Sequence, residues 1–156
     1  MKIMDFLSSD AITVDLRSVN KNDAIKELVE LLIAAGKVEK KDKAKVVELL
    51  MARESLGSTA IGHNVGIPHA KVDCIKTLVG AFGLSKKGVD FDSLDGEPVY
   101  IFFLLLAPQD SAGPHLKALA RISRLIKDKY FRDMLKQAKD KQTIIDIIES
   151  EDEKKA

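Results

Sequence analysis

The sequence is poor in cysteine, tryptophan, other aromatic residues and long apolar runs. It has one cysteine, Cys74, so no intramolecular disulfide can form, and we expect a protein of the reducing cytoplasm. The longest apolar run, Val99 to Ala107, is well short of the roughly 20 residues that a membrane-spanning helix needs. These absences exclude a disulfide-stabilised secreted domain and predict no membrane insertion.

An excess of either charge is also absent. The 25 lysines and arginines are balanced by 24 aspartates and glutamates, which gives a formal net charge of +1. This balance gives no support to a nucleic-acid partner or to binding at an anionic membrane surface. P-loop and dinucleotide-binding motifs are absent, and neither Ser58 nor Ser111 lies in a Gly-x-Ser-x-Gly nucleophile motif. We therefore expect no nucleotide or other cofactor.

The apolar periodicity predicts a single α/β domain over residues 1–156. Asn20 is a suitable N-cap for an amphipathic helix that Gly36 ends. Strands interspersed with helices favour a small sheet covered by helices. The charged end of the chain, residues 150–156, is expected to be disordered. The other predicted elements are helices over residues 41–53, 116–126, 130–138 and 141–148, and strands over residues 11–16, 65–69, 78–84 and 99–106.

The most informative stretch runs from Gly57 to His69 and contains three glycines, two hydroxyl residues and one proline. Glycine and proline at this density predict a backbone held in special conformations, with His69 displayed at its end. Imidazole is the side chain best suited to reversible chemistry near neutral pH. The alternative for His69 is a partly buried histidine whose ring is satisfied by a backbone carbonyl.

Two further residues are candidates for the same site. His115 lies between a predicted strand and a helix, a common place for functional side chains in α/β folds, although it could instead be an exposed histidine in a first helical turn. Arg53 ends the second predicted helix and could instead offset the helix dipole. His63 is expected in an exposed turn. Zinc binding is not favoured because no cysteine pair accompanies the histidines, and Cys74 is expected to be a small packing residue.

A nucleophilic histidine that works without a cofactor suits phosphoryl transfer. The transition state of that reaction spreads negative charge over the equatorial oxygens, so the site needs positioning and hydrogen-bond donors. His69 is the predicted nucleophile. Arg53, His115 and the hydroxyls of Ser58 and Thr59 are the predicted donors around the phosphate.

Two linked segments resemble a known family. Arg53-Glu-Ser-Leu-Gly-Ser-Thr-Ala-Ile-Gly, followed by Ile-Pro-His69-Ala, resembles the active-site signature of phosphotransferase-system (PTS) enzyme IIA domains of the fructose/mannitol type, also called EIIA type 2. Leu105-Leu-Ala-Pro, followed by His115-Leu-Lys-Ala-Leu, is similar to the second segment of that family. The likeness extends roughly from Lys2 to Glu149. It implies a mixed sheet flanked by helices on both faces.

The resemblance also implies a function and partners. His69 is expected to accept phosphate from an HPr-type phosphocarrier, with His115 and Arg53 supporting the phosphoryl group. A member that stands alone is most similar to the nitrogen-regulatory branch, in which the phosphorylation state acts as a signal on a regulatory target protein. One alternative is sugar uptake, in which the phosphate passes to a cysteine of a IIB domain. Another, of a different class, is an interaction module in which the histidine does not turn over.

Overall fold

The computed structural model describes residues 1–155 and places a mixed β-sheet between two layers of helices. This architecture confirms the predicted α/β class, with helices on both faces of the sheet. None of the helices within residues 1–155 is long and apolar enough to cross a membrane. Over the same residues the strands are Leu7–Thr13 (β1), Val65–Gly66 (β2), His69–Val72 (β3), Val79–Val89 (β4) and Val99–Pro108 (β5), and the α-helices are Lys21–Ala34 (α1), Lys43–Ser55 (α2), Ala112–Ile126 (α3), Lys129–Gln137 (α4) and Lys141–Lys154 (α5).

Strand β5 occupies the middle of the sheet. On one side it pairs antiparallel with β4, and on the other it pairs in parallel with β2 and then with β3. The edge strand β1 lies parallel to β4. In the β3–β5 ladder, His69 lies opposite Leu105 and Val72 lies opposite Pro108. The chain therefore leaves β5 beside the end of β3. It then enters α3, whose His115 lies beside His69.

The apolar run that forms β5 is explained by burial on both faces. Successive side chains of a strand point to opposite faces, so a strand covered on both sides is apolar at every position. One set of β5 side chains packs with residues of α1 and α2, and the other packs with residues of α3, α4 and α5. The first set is Phe102, Leu104 and Leu106, and the second is Ile101, Phe103 and Leu105.

The boundaries of α1 are those that the sequence predicts. The Asn20 side-chain oxygen accepts a hydrogen bond from the Asp23 backbone N–H at 2.9 Å. After the last turn, Gly36 adopts a φ of 74°, a left-handed conformation that glycine takes without the penalty of a Cβ atom. Both ends of the helix are thus set by local chemistry.

Several predicted boundaries differ from the structure. The strand predicted over residues 65–69 is two short strands, β2 and β3, and the strand predicted over residues 78–84 extends to Val89. The first strand covers Leu7–Thr13 rather than residues 11–16, because the edge strand β1 carries polar residues and an irregular register that weaken its apolar alternation. Helix α3 begins at Ala112, before Pro114 rather than after it. A proline is tolerated there because the first N–H groups of a helix have no intrahelical partner.

The prediction of disorder over residues 150–156 is wrong for the part that the structure describes, while Ala156 lies outside the described residues. Helix α5 continues to Lys154, and its last turns bury Glu151 and Asp152. The Asp152 carboxylate accepts a hydrogen bond from the Ile3 backbone N–H at 2.7 Å and pairs with the Arg121 guanidinium. This tertiary contact orders a segment whose charged composition alone predicts fraying.

Replacing Asp152 with alanine is expected to lower the free energy of unfolding by about 2 kcal/mol, because the buried Ile3 N–H and the Arg121 guanidinium both lose their acceptor. Urea denaturation measures the change. Glu153→Ala removes an exposed carboxylate from the next position of the same helix and should leave the midpoint within experimental error. Equal midpoints for the two variants would show that this contact does not stabilise the fold.

Candidate functional site

The strand pairing brings together two histidines that are far apart in the sequence. His69 is the first residue of β3, and His115 lies in the first turns of α3. Their ring centroids are 5.4 Å apart, and the ring planes meet at 72°. The structure thus joins the two histidines that the sequence analysis singled out into one site.

The tautomer of His69 follows from its hydrogen bond. Its Nδ1 lies 2.7 Å from the backbone carbonyl oxygen of Ile67. A carbonyl oxygen can only accept, so Nδ1 carries the proton and donates it. In the neutral ring, the lone pair is therefore on Nε2. The alternative for His69 that the sequence allowed was a ring that a backbone carbonyl satisfies. That hydrogen bond is present, and it also leaves the Nε2 lone pair free for attack on an electrophile.

The surroundings of His69 favour its neutral form. Burial lowers the pKa of His69, the hydrogen bond to Ile67 raises it, and the positive charge of Arg53 lowers it further. The Glu54 carboxylate opposes Arg53 and raises the pKa of His69 to a smaller extent. The net shift is downward from the ordinary value of 6.5, so the ring is neutral at physiological pH.

His115 is buried rather than exposed, with 6% of its surface accessible. Burial lowers the pKa of His115, and the neighbouring His69 and Lys71 lower it further. Within residues 1–155, the buried Nε2 of His115 has no hydrogen-bond partner. Buried polar atoms are nearly always satisfied in proteins, so an unpaired ring nitrogen beside His69 is available for a ligand.

Both histidines are expected to titrate below pH 6.5, with midpoints that NMR can follow through their ring Cε1–H signals. The unfolded protein binds these protons more readily than the folded one. The free energy of unfolding should therefore fall as the pH is lowered from 6.5 through the folded pKa values, and recover as the pH is raised. A midpoint at or above 6.5 for His69 would contradict the neutral form assigned to it.

Two cationic side chains border the histidines. Arg53 lies in the last turn of α2, and its Nη1 donates to the Gly57 carbonyl oxygen at 2.9 Å. Its positive charge lies near enough to His69 to lower the pKa of that ring. Lys71 was not identified from the sequence. It follows His69 by two positions in β3 and so projects from the same face of the strand. The predicted strand ends at residue 69, and only an extension of its period-two alternation to residue 71 could have identified Lys71.

The hydroxyls of Ser58 and Thr59 already have protein partners. Ser58 Oγ donates to the Phe91 carbonyl oxygen at 3.1 Å and accepts from the Ala60 N–H at 3.1 Å. Thr59 Oγ1 donates to the Glu54 carboxylate at 2.5 Å. These contacts differ from the expectation that both hydroxyls surround a phosphate. In this structure both hydroxyls donate to protein oxygens and hold the loop, so phosphate binding by Ser58 and Thr59 stays a prediction.

His63 lies in an exposed turn, as predicted. Both His63 and Asn64 have positive φ, 62° and 63°, and the Asn64 side-chain amide donates to the Pro98 carbonyl oxygen at 2.8 Å. In the part of the chain that the structure describes, no three His, Cys, Asp or Glu side chains are grouped as metal ligands. Burial raises the pKa of the Cys74 thiol, which disfavours the nucleophilic thiolate.

Three large apolar side chains are exposed on the segments that form the site. Leu56 follows α2 and is 84% exposed, Ile61 lies in the loop and is 70% exposed, and Leu116 follows His115 and is 67% exposed. Exposed leucine and isoleucine are unremarkable singly, but three on the segments that carry the functional side chains favour contact with another protein.

Comparisons with known proteins agree on one family. The family model described as "Phosphoenolpyruvate-dependent sugar phosphotransferase system, EIIA 2" matches residues 5–151. The nitrogen regulatory protein of Bradyrhizobium diazoefficiens is 38% identical over 95% of each chain. The fructose-specific PTS EIIABC component of Bacillus subtilis is 39% identical over 97% of this chain, which spans only 24% of that protein. The crystal structure of the nitrogen regulatory protein IIA-Ntr from Neisseria meningitidis superposes with a TM-score of 0.84 at 32% identity, covering 94% of this chain and 98% of that one.

Proposed function

Because this chain belongs to the EIIA 2 family of the phosphoenolpyruvate-dependent sugar phosphotransferase system, we propose that it carries a phosphoryl group on Nε2 of His69. The observation that carries the proposal is the hydrogen bond from Nδ1 to the Ile67 carbonyl, which leaves the Nε2 lone pair free. The unpaired Nε2 of His115 beside it supports the assignment. The intermediate is a transient phosphohistidine, and no cofactor enters the reaction.

The transfer step exchanges one phosphorus–nitrogen bond for another. Nε2 of His69 attacks the phosphorus of a phosphohistidine on the donor, and the electron pair of the broken bond stays with the nitrogen of the donor. The Nδ1 proton remains on the His69 ring. The Ile67 carbonyl oxygen accepts the hydrogen bond from this N–H and stabilises the charge that the ring gains. Onward transfer reverses these steps toward the next acceptor.

The surrounding side chains stabilise the charge on the phosphoryl oxygens. His115 donates from Nε2 when its proton is on that nitrogen, and its lowered pKa keeps the ring neutral before the phosphoryl group arrives. Arg53 and Lys71 supply positive charge at the edges of the site. Because such donors are already oriented, they stabilise the transition state without reorganisation.

The donor is an HPr-type phosphocarrier, and the apolar side chains of Leu56, Ile61 and Leu116 provide the surface on which it docks. The same surface then meets the acceptor or the regulated target. Phosphorylation adds a charge of about −2 at this surface, which changes the affinity for a charged partner.

A nitrogen-regulatory role is the one we favour. The protein from B. diazoefficiens that carries that name matches this chain over 95% of both lengths. Sugar uptake, with transfer to a IIB cysteine, is the second candidate, and the fructose-specific protein of B. subtilis supports it. The unpaired Nε2 of His115 favours a working site over a module that only binds partners.

Intact-mass measurement separates these roles. The protein is incubated with an HPr-type carrier that has been charged from phosphoenolpyruvate, and a gain of one phosphoryl group is expected. An unchanged mass with every cognate donor would reject the carrier function and leave the binding module. Subsequent loss of the phosphoryl group to a IIB domain would favour uptake, whereas retention in the presence of IIB domains would favour regulation.

A further inference from the structure

The carboxylate of Glu54 is nearly enclosed, with 4% of the residue exposed, in the last turn of α2. It accepts hydrogen bonds from the Thr59 backbone N–H at 3.2 Å and from the Thr59 hydroxyl at 2.5 Å. Burying a carboxylate is costly unless it is paired and hydrogen-bonded. Glu54 follows Arg53 in the chain and has no part in the site predicted from the sequence.

The positive partner of Glu54 comes from a different helix. Lys21, the first residue of α1, places its Nζ 3.5 Å from the Glu54 carboxylate and 3.6 Å from the Asp92 carboxylate. The same ammonium lies 5.2 Å from the centroid of the Phe91 ring. Lys21 therefore holds Glu54 from α1, and Asp92 and Phe91 in the segment after β4 hold Lys21 in turn.

From Glu54, a continuous series of hydrogen bonds leads to His69. Thr59 donates twice to the carboxylate, and its own carbonyl oxygen accepts from the Ile67 N–H at 3.4 Å. The Ile67 carbonyl oxygen then accepts from His69 Nδ1 at 2.7 Å. The position of the carboxylate is thereby linked to the orientation of the imidazole.

We propose, building on the function proposed above, that Glu54 is a positioning residue of the phosphoryl-transfer site. It anchors Thr59 and Ile67, which orient the His69 ring, and its negative charge counterbalances Arg53 at that ring.

The charge balance around His69 comes from several elements. Arg53 on α2 disfavours protonation of the ring and Glu54 favours it, as their opposite effects on the pKa of His69 show. His115 on α3 lies beside the His69 ring, and Lys71 on β3 lies near His115. Lys21 on α1 pairs with Glu54 and also with Asp92. Removing the charge of Glu54 leaves Arg53 unopposed and should lower the pKa of His69 further.

The experiment uses two variants that separate the charge from the anchor. Glu54→Gln keeps an oxygen that accepts from Thr59 but removes the negative charge, so NMR titration of the His69 Cε1–H should give a lower midpoint than in the native protein. Thr59→Val keeps the charge but removes the hydroxyl bond, and its rate of phosphoryl uptake should fall roughly tenfold because the ring is less well held. Glu48→Gln makes the same chemical change at an exposed position of α2 and should alter neither quantity.

A merely structural role for Glu54 does not lower the midpoint of His69. An unchanged or raised midpoint in a folded Glu54→Gln variant overturns the proposal. If Glu54→Gln does not fold, the Thr59→Val variant tests the proposal instead. A native rate of phosphoryl uptake in Thr59→Val overturns the proposal. The titration needs no donor, so it tests Glu54 even if the native protein takes up no phosphate, an outcome that would reject the carrier function instead.

Discussion

Replacing His69 with alanine is expected to abolish phosphoryl uptake completely. The variant lacks Nε2 of His69, the ring nitrogen whose lone pair is left free because Nδ1 donates to the Ile67 carbonyl oxygen. We do not expect His115 to replace it, because the proposed donor role places a proton on its buried Nε2, which then has no free lone pair. His63 lies in an exposed turn of the glycine-rich loop, with a left-handed backbone. Intact mass after incubation with a charged HPr-type donor measures the effect.

The matched control for this prediction is His63→Ala. It removes a histidine from the same glycine-rich loop, and we expect full uptake because His63 makes no contact that the transfer step uses. Circular dichroism should show native folding for both variants, since His69 is half-exposed at the first position of a short strand. A full phosphoryl gain in the His69→Ala variant would place the acceptor on a different residue.

Replacing His115 with alanine is expected to slow phosphoryl uptake by about 10²- to 10³-fold without changing its final extent, the size of effect seen when one donor to a developing oxyanion is removed. The variant retains the nucleophile and loses the donor that lies beside it. Rapid-quench measurement of the phosphorylated fraction against time gives the rate. His115→Gln, which restores an N–H donor, should recover part of the loss.

Packing offers a different explanation for a slow His115→Ala variant, because the ring is buried and its removal leaves a cavity. Thermal unfolding of the alanine and glutamine variants distinguishes the two explanations. Similar stabilities with different rates support a role as donor. Native rates in both variants would exclude His115 from the transfer step.

The parts of the fold that could be predicted are those governed by local chemistry or by burial on both faces. The N-cap Asn20 and the left-handed Gly36 define α1, and the unbroken apolar run of β5 indicates a central strand. In contrast, the edge strand β1 and the end of α5 depend on partners distant in the sequence. The contacts of Asp152 with Ile3 and Arg121 order the end of α5, and no local sequence pattern predicts them.

The candidate site divides in the same way. The pattern of Gly57 to His69 pointed to His69, and the loop before α3 pointed to His115; the structure places the two rings side by side, and their roles in transfer stay predictions. The hydroxyls of Ser58 and Thr59 have the right chemistry for phosphate, but the fold directs them to the Phe91 carbonyl and to Glu54. The role inferred for Glu54 depends on Lys21 and Ile67, which only the folded chain brings into the same network.

The most direct test is long-range ¹H–¹⁵N NMR of the ¹⁵N-histidine-labelled protein while a charged donor phosphorylates it. Our account predicts phosphorus on a single histidine, His69, bonded to Nε2, with the proton retained on Nδ1 opposite the Ile67 carbonyl. Phosphorus on Nδ1 of His69, on His115, or on His63 would contradict it.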